Sequence, residues 1–359
     1  IMTADRSPPE TAALEAMKTS LAHRGPDGEA VWVSGDTGLV HTRLAIIDLE
    51  TGDQPLFGPG GTALVANGEI YNYIELRDEL AGAAFKTGSD CEPVLHYFQN
   101  HGVDFAGWLR GMYALAIFDP QERRLVLARD PFGIKPLYYA QSDAGFAFAS
   151  EPQALLAAGF GSRRLRDRPV SELFQLQFTT GAETPYEGIQ RVLPGETIVV
   201  SGGKVVDRRR KEALPNGVPV RSSVNSALEK VETALLDSVE MHQRSDVPYA
   251  MFLSGGVDSS AILACMARLN DRPVHAFTAG FPGTDAADER AHAREVANSL
   301  GAEHEEIAFS ADDFWKLLPA IAGAMDEPVA DYAILPTWKL AQEASKSFKV
   351  ILSGEGGDE

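Results

Sequence analysis

The string Leu253-Ser254-Gly255-Gly256-Val257-Asp258-Ser259-Ser260 follows a strand-like apolar run and precedes a helical one. Small residues at such a junction let backbone N–H groups close on an anion, and the helix start adds a favourable field. Serine hydroxyls supply further donors. A carboxylate there, Asp258, implies a Mg²⁺ between it and phosphate oxygens. The Gly-Lys-Ser/Thr ending of a Walker A loop is absent, and a Gly-Gly pair alone would be only a turn. Four polar strings close apolar runs nearer the start: His23-Arg24-Gly25-Pro26-Asp27-Gly28, Arg43-Leu44-Ala45-Ile46-Ile47-Asp48, Asn67-Gly68-Glu69-Ile70-Tyr71-Asn72 and Gly88-Ser89-Asp90. Loops at strand ends are where function is carried. Taken singly, they read as ordinary features: an Asn-Gly hairpin turn, a charged loop.

The elements that must position these strings differ between the two halves. Val31–Val33, Leu39–Leu49, Ala63–Ala66, Met112–Phe118, Leu125–Ala128 and Phe146–Ala149 read as strands, several in hairpins. Helices are expected at Tyr73–Leu80 and Glu92–Asn100, and Ser7-Pro8-Pro9-Glu10 reads as a helix start with a capping-box glutamate. An α+β domain with stacked antiparallel sheets fits. A hairpin follows near Thr197–Val206, and Asp207–Arg221, charged and without apolar period, reads as the linker. Leu228, Val231, Leu235 and Val239 then define an amphipathic helix. Strands at Tyr249–Leu253, Val274–Phe281, Glu305–Phe309 and Lys349–Leu352 alternate with helices, which means an α/β domain with a parallel sheet. The expected domains are 1–206 and 222–359, joined by the linker 207–221.

Composition excludes several classes. The chain has 359 residues, 44% hydrophobic and 23% charged, as soluble globular proteins do. Its net charge of −19 opposes binding to nucleic acid or to an anionic membrane surface, yet leaves local phosphate binding by backbone amides open. No apolar run reaches the length of a membrane span and no signal segment opens the chain, so cytoplasm is the expected compartment. Cys91 and Cys265 make no disulfide framework or zinc site and read as small buried hydrophobes.

With the loop at Leu253–Ser260 in place, the second half resembles the PP-loop ATP pyrophosphatases, which cleave ATP between its α and β phosphates to adenylate a substrate. Ser353-Gly354-Glu355-Gly356-Gly357-Asp358-Glu359 narrows the resemblance to the glutamine-dependent asparagine synthetases and their relatives. The resemblance implies that Leu253, Ser254, Gly255, Gly256, Asp258, Ser259, Ala279, Ser353 and Gly354 bind ATP. It implies that Asp258 and Asp358 hold Mg²⁺ and that Glu355 sits at the reacting centre. Asp326–Thr337 is similar to the family's stretch near the amino-acid substrate, although Asp331 serves equally well as a helix cap.

The four strings of the first half, in order, resemble the class II glutamine amidotransferase domain, an N-terminal-nucleophile fold. There the glutamine site would comprise Arg43, Leu44, Ala45, Ile46, Ile47, Asn67, Gly68, Glu69 and Asp90. Arg43 suits an α-carboxylate, Asp90 with Glu69 nearby an α-ammonium, and the Asn67 amide with the Gly68 N–H an oxyanion. Arg129–Tyr139 and Phe148–Glu151 also resemble that domain, as structural or interface strings. The family's nucleophile is an N-terminal cysteine whose own amine is the base. Here it is expected upstream of Ile1, since Cys91 has no free amine. A further helical part with a lysine is expected after Glu359. The resemblance thus implies ATP-driven amidation of aspartate, forming asparagine, AMP and pyrophosphate, with ammonia from glutamine passed internally to the second domain. It brings ATP and Mg²⁺ as cofactors and leaves a homodimer open. The alternatives are a different acceptor acid, an ammonia-only enzyme, and a non-catalytic relative.

Overall fold

Alternating side chains and turn residues drive most of the first two hundred residues into strands. The computed structural model describes all residues except 215, 216, 219, 220, 284–287 and 357–359. The chain forms two units: Ile1–Asn216 with Asp326–Ala330, and Gly217–Met325 with Asp331–Glu359. Among the described residues, no helix is long and apolar enough to cross a membrane.

In the first unit the strands are Met2–Thr3 (β1), Gly28–Ser34 (β2), Thr37–Arg43 (β3), Leu56–Phe57 (β4), Ala63–Ile70 (β5) and Gly111–Asp119 (β6). Arg124–Arg129 (β7), Tyr138–Ser142 (β8), Gly145–Ala149 (β9), Ile189–Arg191 (β10), Glu196–Ser201 (β11) and Lys204–Arg210 (β12) follow. Its helices are Thr11–Leu21 (α1), Tyr73–Glu79 (α2), Glu92–His101 (α3), Pro152–Ala157 (α4) and Asp167–Leu176 (α5). Two antiparallel sheets result, β10-β8-β9-β1-β3-β2 and β12-β11-β7-β6-β5-β4. They stack. Met2, Leu39, Tyr139 and Phe146 of the first meet Val65, Ala116, Phe118, Leu127 and Ile198 of the second. Outside them, α1 and α4 cover the first sheet and α3 covers the second. β6 shows why its sequence reads as continuously apolar: Tyr113, Leu115 and Ile117 face the helices, while Ala114, Ala116 and Phe118 face the other sheet.

The second unit contains Val224–His242 (α6), Tyr249–Phe252 (β13), Val257–Leu269 (α7), His275–Gly280 (β14) and Arg290–Ser299 (α8). Glu303–Ala308 (β15), Ala311–Ala324 (α9), Ile334–Ala344 (α10) and Val350–Leu352 (β16) complete it. The strands form a parallel sheet in the order β15-β14-β13-β16. α6, α7 and α8 pack on one face through Val239, Leu263, Met266 and Ala293, and α10 packs on the other through Leu340 and Ala344.

Several elements depart from the sequence reading. β3 ends at Arg43, so the apolar run to Leu49 is loop: the Arg43 guanidinium turns back and donates to the carbonyls of Ile47 and Asp48. α1 starts at Thr11 with no side-chain cap, because the two prolines keep the preceding residues extended and Ser7 bonds Asp5 instead. Asp207–Arg210, read as linker, continues β12 against β11; its charges are tolerated on an edge strand, where Arg208 reaches Glu196 and Arg209 reaches Asp104. On α6 only the C-terminal part of the apolar stripe is covered: Val239 is buried, while Leu228 and Val231 stay exposed.

Candidate functional site

A cavity of about 270 Å³ opens in the first unit where β3 and β5 end. Arg43, Leu44, Ile46, Ile47, Asn67, Gly68, Glu69 and Asp90 line it; of the residues singled out for the amide site, Ala45 does not, and its N–H bonds Asp27 Oδ2 at 2.8 Å. Arg43 is buried and its Nη1 donates to Asp53 Oδ1 at 2.8 Å. Asp90, also buried, accepts the Ile70 N–H at 2.7 Å. Desolvation pushes its carboxyl up to about 6, a group poised to gain from an arriving cation. The Asn67 side-chain nitrogen is buried without a hydrogen-bond partner, a donor left for an acceptor the cavity would receive. Gly68 has φ +154°, and a Cβ there would lie 2.1 Å from the Met112 carbonyl oxygen, so the Asn-Gly pair is not a hairpin turn but a strand position that only glycine fits.

Residues that the sequence reading missed hold this wall. Ala66 precedes Asn67 on β5, beyond the end of the two-residue β4. Its N–H donates to Gln54 Oε1 at 2.7 Å, and its carbonyl meets His41 Nε2 at 3.2 Å. Two side chains thus finish the ladder that β4 leaves incomplete. Burial lowers the His41 imidazole to about 4, which keeps it neutral. Lys135 also lines the cavity, and burial lowers its ammonium below the usual range. Partners distant in sequence, and for His41 on the other sheet, leave no short-range signal, so neither His41 nor Gln54 was visible as a spacing. Ile1 is buried in the same wall.

The other strings buttress the cavity. Arg24 donates to Glu151 Oε1 at 2.7 Å, joining the His-Arg-Gly-Pro string to Phe148–Glu151. Asp48 Oδ2 accepts the Gly88 N–H at 2.8 Å, tying the Arg43 loop to the string that carries Asp90. Asp130, fully buried, accepts from the backbone N–H of Tyr113, Phe132, Ile134 and Lys135. Cys91 and Cys265 are both buried and free, and burial raises both thiols.

In the second unit the parallel order brings the ends of β14, β13 and β16 side by side. Ala279, Leu253 and Ser353-Gly354 therefore share the carboxyl edge of the sheet, where ligands of open α/β sheets bind. A Cβ on Gly354 would lie 2.6 Å from the Ser259 nitrogen, so the second string rests directly on the first turn of α7. Ser254 and Ser259 hydroxyls bond at 3.0 Å, Gly255 takes φ +85°, and Ser260 Oγ is buried without a partner. Asp258 and Glu355 are exposed beside them. Asp358 lies outside the described residues. Among the described residues, no three His, Cys, Asp or Glu side chains form a metal-holding group.

The stretch expected near the amino-acid substrate divides between the two units. Asp326–Ala330 belongs to the first unit, where Glu327 pairs with Arg191 and accepts from Thr179 Oγ1 at 2.6 Å and Tyr138 Oη at 2.5 Å. Asp331 does not cap α10, whose N-cap is Ala333 without a side-chain bond; its Oδ1 accepts the Ala333 N–H at 2.9 Å in the turn that precedes the helix.

Stacked antiparallel sheets with a polar cavity in one unit, and a parallel sheet with an anion-type loop in the other, agree with the two domain classes that the sequence strings resemble. Residues 1–210 match the family described as glutamine amidotransferase domain, and residues 230–359 match asparagine synthase. A Mycobacterium tuberculosis H37Rv protein, provisionally named a glutamine-hydrolysing asparagine synthetase, is 40% identical over 94% of this chain and 55% of its own length. Asparagine synthetase [glutamine-hydrolyzing] 1 of Bacillus subtilis 168 is 37% identical over 96% of this chain and 55% of its own. A Methanocaldococcus jannaschii protein with a similarly provisional name is 31% identical over 96% of this chain and 71% of its own. The chain belongs to the glutamine-hydrolysing asparagine synthetase family. It spans about half the length of the first two of these relatives.

Proposed function

We propose that the first unit hydrolyses glutamine and that the second uses ATP to activate aspartate for amidation by the ammonia released. The observation that carries this reading is the single cavity that joins buried Arg43, buried Asp90 with Glu69, and the unspent Asn67 amide. Arg43 takes the α-carboxylate of glutamine, and Asp90 and Glu69 take its α-ammonium. Asn67 Nδ2 and the Gly68 N–H donate to the oxyanion that forms when the side-chain amide is attacked, each worth roughly 10²–10³ in rate. The attacking thiol is the cysteine that family resemblance puts upstream of Ile1; the burial of Ile1 in this wall supports that reading.

At the second site, the Ser260 hydroxyl, the left-handed Gly255 and the α7 N-terminus fit a chain of phosphates. Leu253, Ala279, Ser353 and Gly354 would flank the nucleotide, with Glu355 at the reacting centre. Mg²⁺, when bound, neutralises phosphate charge; exposed Asp258 fits as a single carboxylate ligand of the kind Mg²⁺ shares with phosphates, and Asp358 is the second candidate. The aspartate side-chain carboxylate attacks the α-phosphorus and expels pyrophosphate, and ammonia then displaces AMP. A different acceptor acid is the second reading. It is supported by the engagement of Asp326 with the Gln153 N–H and of Glu327 with Arg191, which occupies two carboxylates of the stretch that resembles the family's substrate segment.

The test is product analysis by mass spectrometry with MgATP, amide-labelled glutamine and a panel of carboxylic acids, using the full-length protein. Labelled asparagine from aspartate alone supports the reading. A labelled amide of another acid selects the second reading, and no glutamate release at all overturns both.

A further inference from the structure

The residue that binds Arg43 here is itself a carboxylate. Asp53 sits with its side chain 82% exposed, while the guanidinium it meets is 10% exposed. Arg43 has three recorded partners: Asp53 Oδ1 on Nη1, and the Ile47 and Asp48 carbonyls on Nη2. The two carbonyls are fixed, because the Asp48 side chain is tied to Thr51 and to the Gly88 N–H. The Gly52 backbone packs close against the guanidinium, since a Cβ there would stand 2.5 Å from Nη2. Asp53 is the partner that an incoming anion can replace.

We propose that Asp53 is an internal competitor of the substrate: its carboxylate holds the Nη1 edge of Arg43 until the α-carboxylate of glutamine displaces it. This rests on the reading of Arg43 as the α-carboxylate site. The two anions are chemically alike, so each glutamine bound must break one carboxylate–guanidinium pair to make another. Asp53 thereby sets the glutamine concentration at which the pocket fills, and keeps a buried guanidinium paired in the meantime.

An ion pair with so exposed a partner is weak, so its removal should tighten glutamine by about 1.4- to 5-fold. The experiment is calorimetric titration of the full-length protein, Asp53→Asn and Asp53→Ala with L-glutamine and with 4-aminobutanamide, which lacks the α-carboxylate. Both variants should bind glutamine more tightly than the parent and bind 4-aminobutanamide no more tightly. Equal or weaker glutamine binding by the variants would show that Asp53 orients Arg43, and would overturn the proposal while leaving the pocket assignment intact. A parallel gain for 4-aminobutanamide would also overturn it, since competition for Arg43 cannot affect that ligand. A parent that binds no glutamine would remove the pocket assignment and the proposal together.

Discussion

Asp90 should make glutamine binding fail on acidification before the protein does. Its carboxyl is buried and pushed up to about 6 from an ordinary 3.8, with desolvation as the main cause. Only the carboxylate form attracts the α-ammonium, so below about pH 6 each unit of pH should cost close to tenfold in affinity. Neither charged group of glutamine titrates between pH 5 and 8. His41, lowered to about 4, and Cys91, raised by burial, also keep their states there. The stability sign is opposite. Between 3.8 and 6 the folded state holds the proton more tightly than the unfolded state, so this group's contribution to stability rises as pH falls. Asp90→Asn can still accept the Ile70 N–H, and it removes a buried charge that costs on the order of 3 kcal/mol at neutral pH. The variant should therefore be at least as stable as the parent at pH 7.5 and bind glutamine far more weakly, with little pH dependence. Calorimetric titrations from pH 5 to 8, paired with urea unfolding at each pH, measure both quantities. A parent affinity that is flat from pH 7 to 5, or an asparagine variant that binds as the parent does, would refute the assignment of Asp90 to the ammonium.

Three other perturbations test different parts of the molecule. Glu327→Gln leaves Arg191 buried without its counter-charge and should cost about 3–5 kcal/mol in chemical denaturation. Burial favours the protonated Glu327, but Arg191, Thr179 and Tyr138 outweigh it and hold the carboxyl below the usual 4.5; the parent alone should lose this contribution as pH falls below that value. Gln54→Leu unties the Ala66 N–H and lets Asn67 drift, so steady-state glutaminase assays should show kcat reduced by up to about 10²-fold with KM nearly unchanged. Gly354→Ala forces a methyl group to within 2.6 Å of the Ser259 nitrogen as the backbone stands. ATP binding, followed by equilibrium dialysis, should fall sharply while glutamine binding holds.

The stacked sheets and the parallel sheet were legible because both rest on local periodicity. β6 alternates between two apolar neighbours, and each strand of the second unit is followed by a helical pattern. The string residues were legible because their types suit the groups they would bind. What escaped depends on contacts distant in sequence. Ala45, Ile46 and Ile47 read as strand because they are apolar, and nothing local announces that Arg43 will fold back on the carbonyls of Ile47 and Asp48. His41 was invisible for the same reason: its partner, Ala66, lies on the other sheet. Glu327 stood beside Pro328 in a stretch that resembled a substrate-binding segment. Its use as the counter-charge of Arg191, 136 residues earlier, is fixed by tertiary structure alone.

Because five residues of the first unit are supplied from between α9 and α10, that unit cannot be excised with one cut. A fragment ending at Asn216 retains Arg191, Thr179 and Tyr138 and loses the acid they surround. Weak or aggregating glutaminase fragments of this kind would report a missing peptide, not an intrinsic dependence on synthetase chemistry. The remedy is to add back Asp326–Ala330, in trans or on a tether. Conversely, a chain nicked after Asn216 keeps a buried ion pair that spans the break, so its two pieces should co-purify at low ionic strength and separate when Glu327 is neutralised.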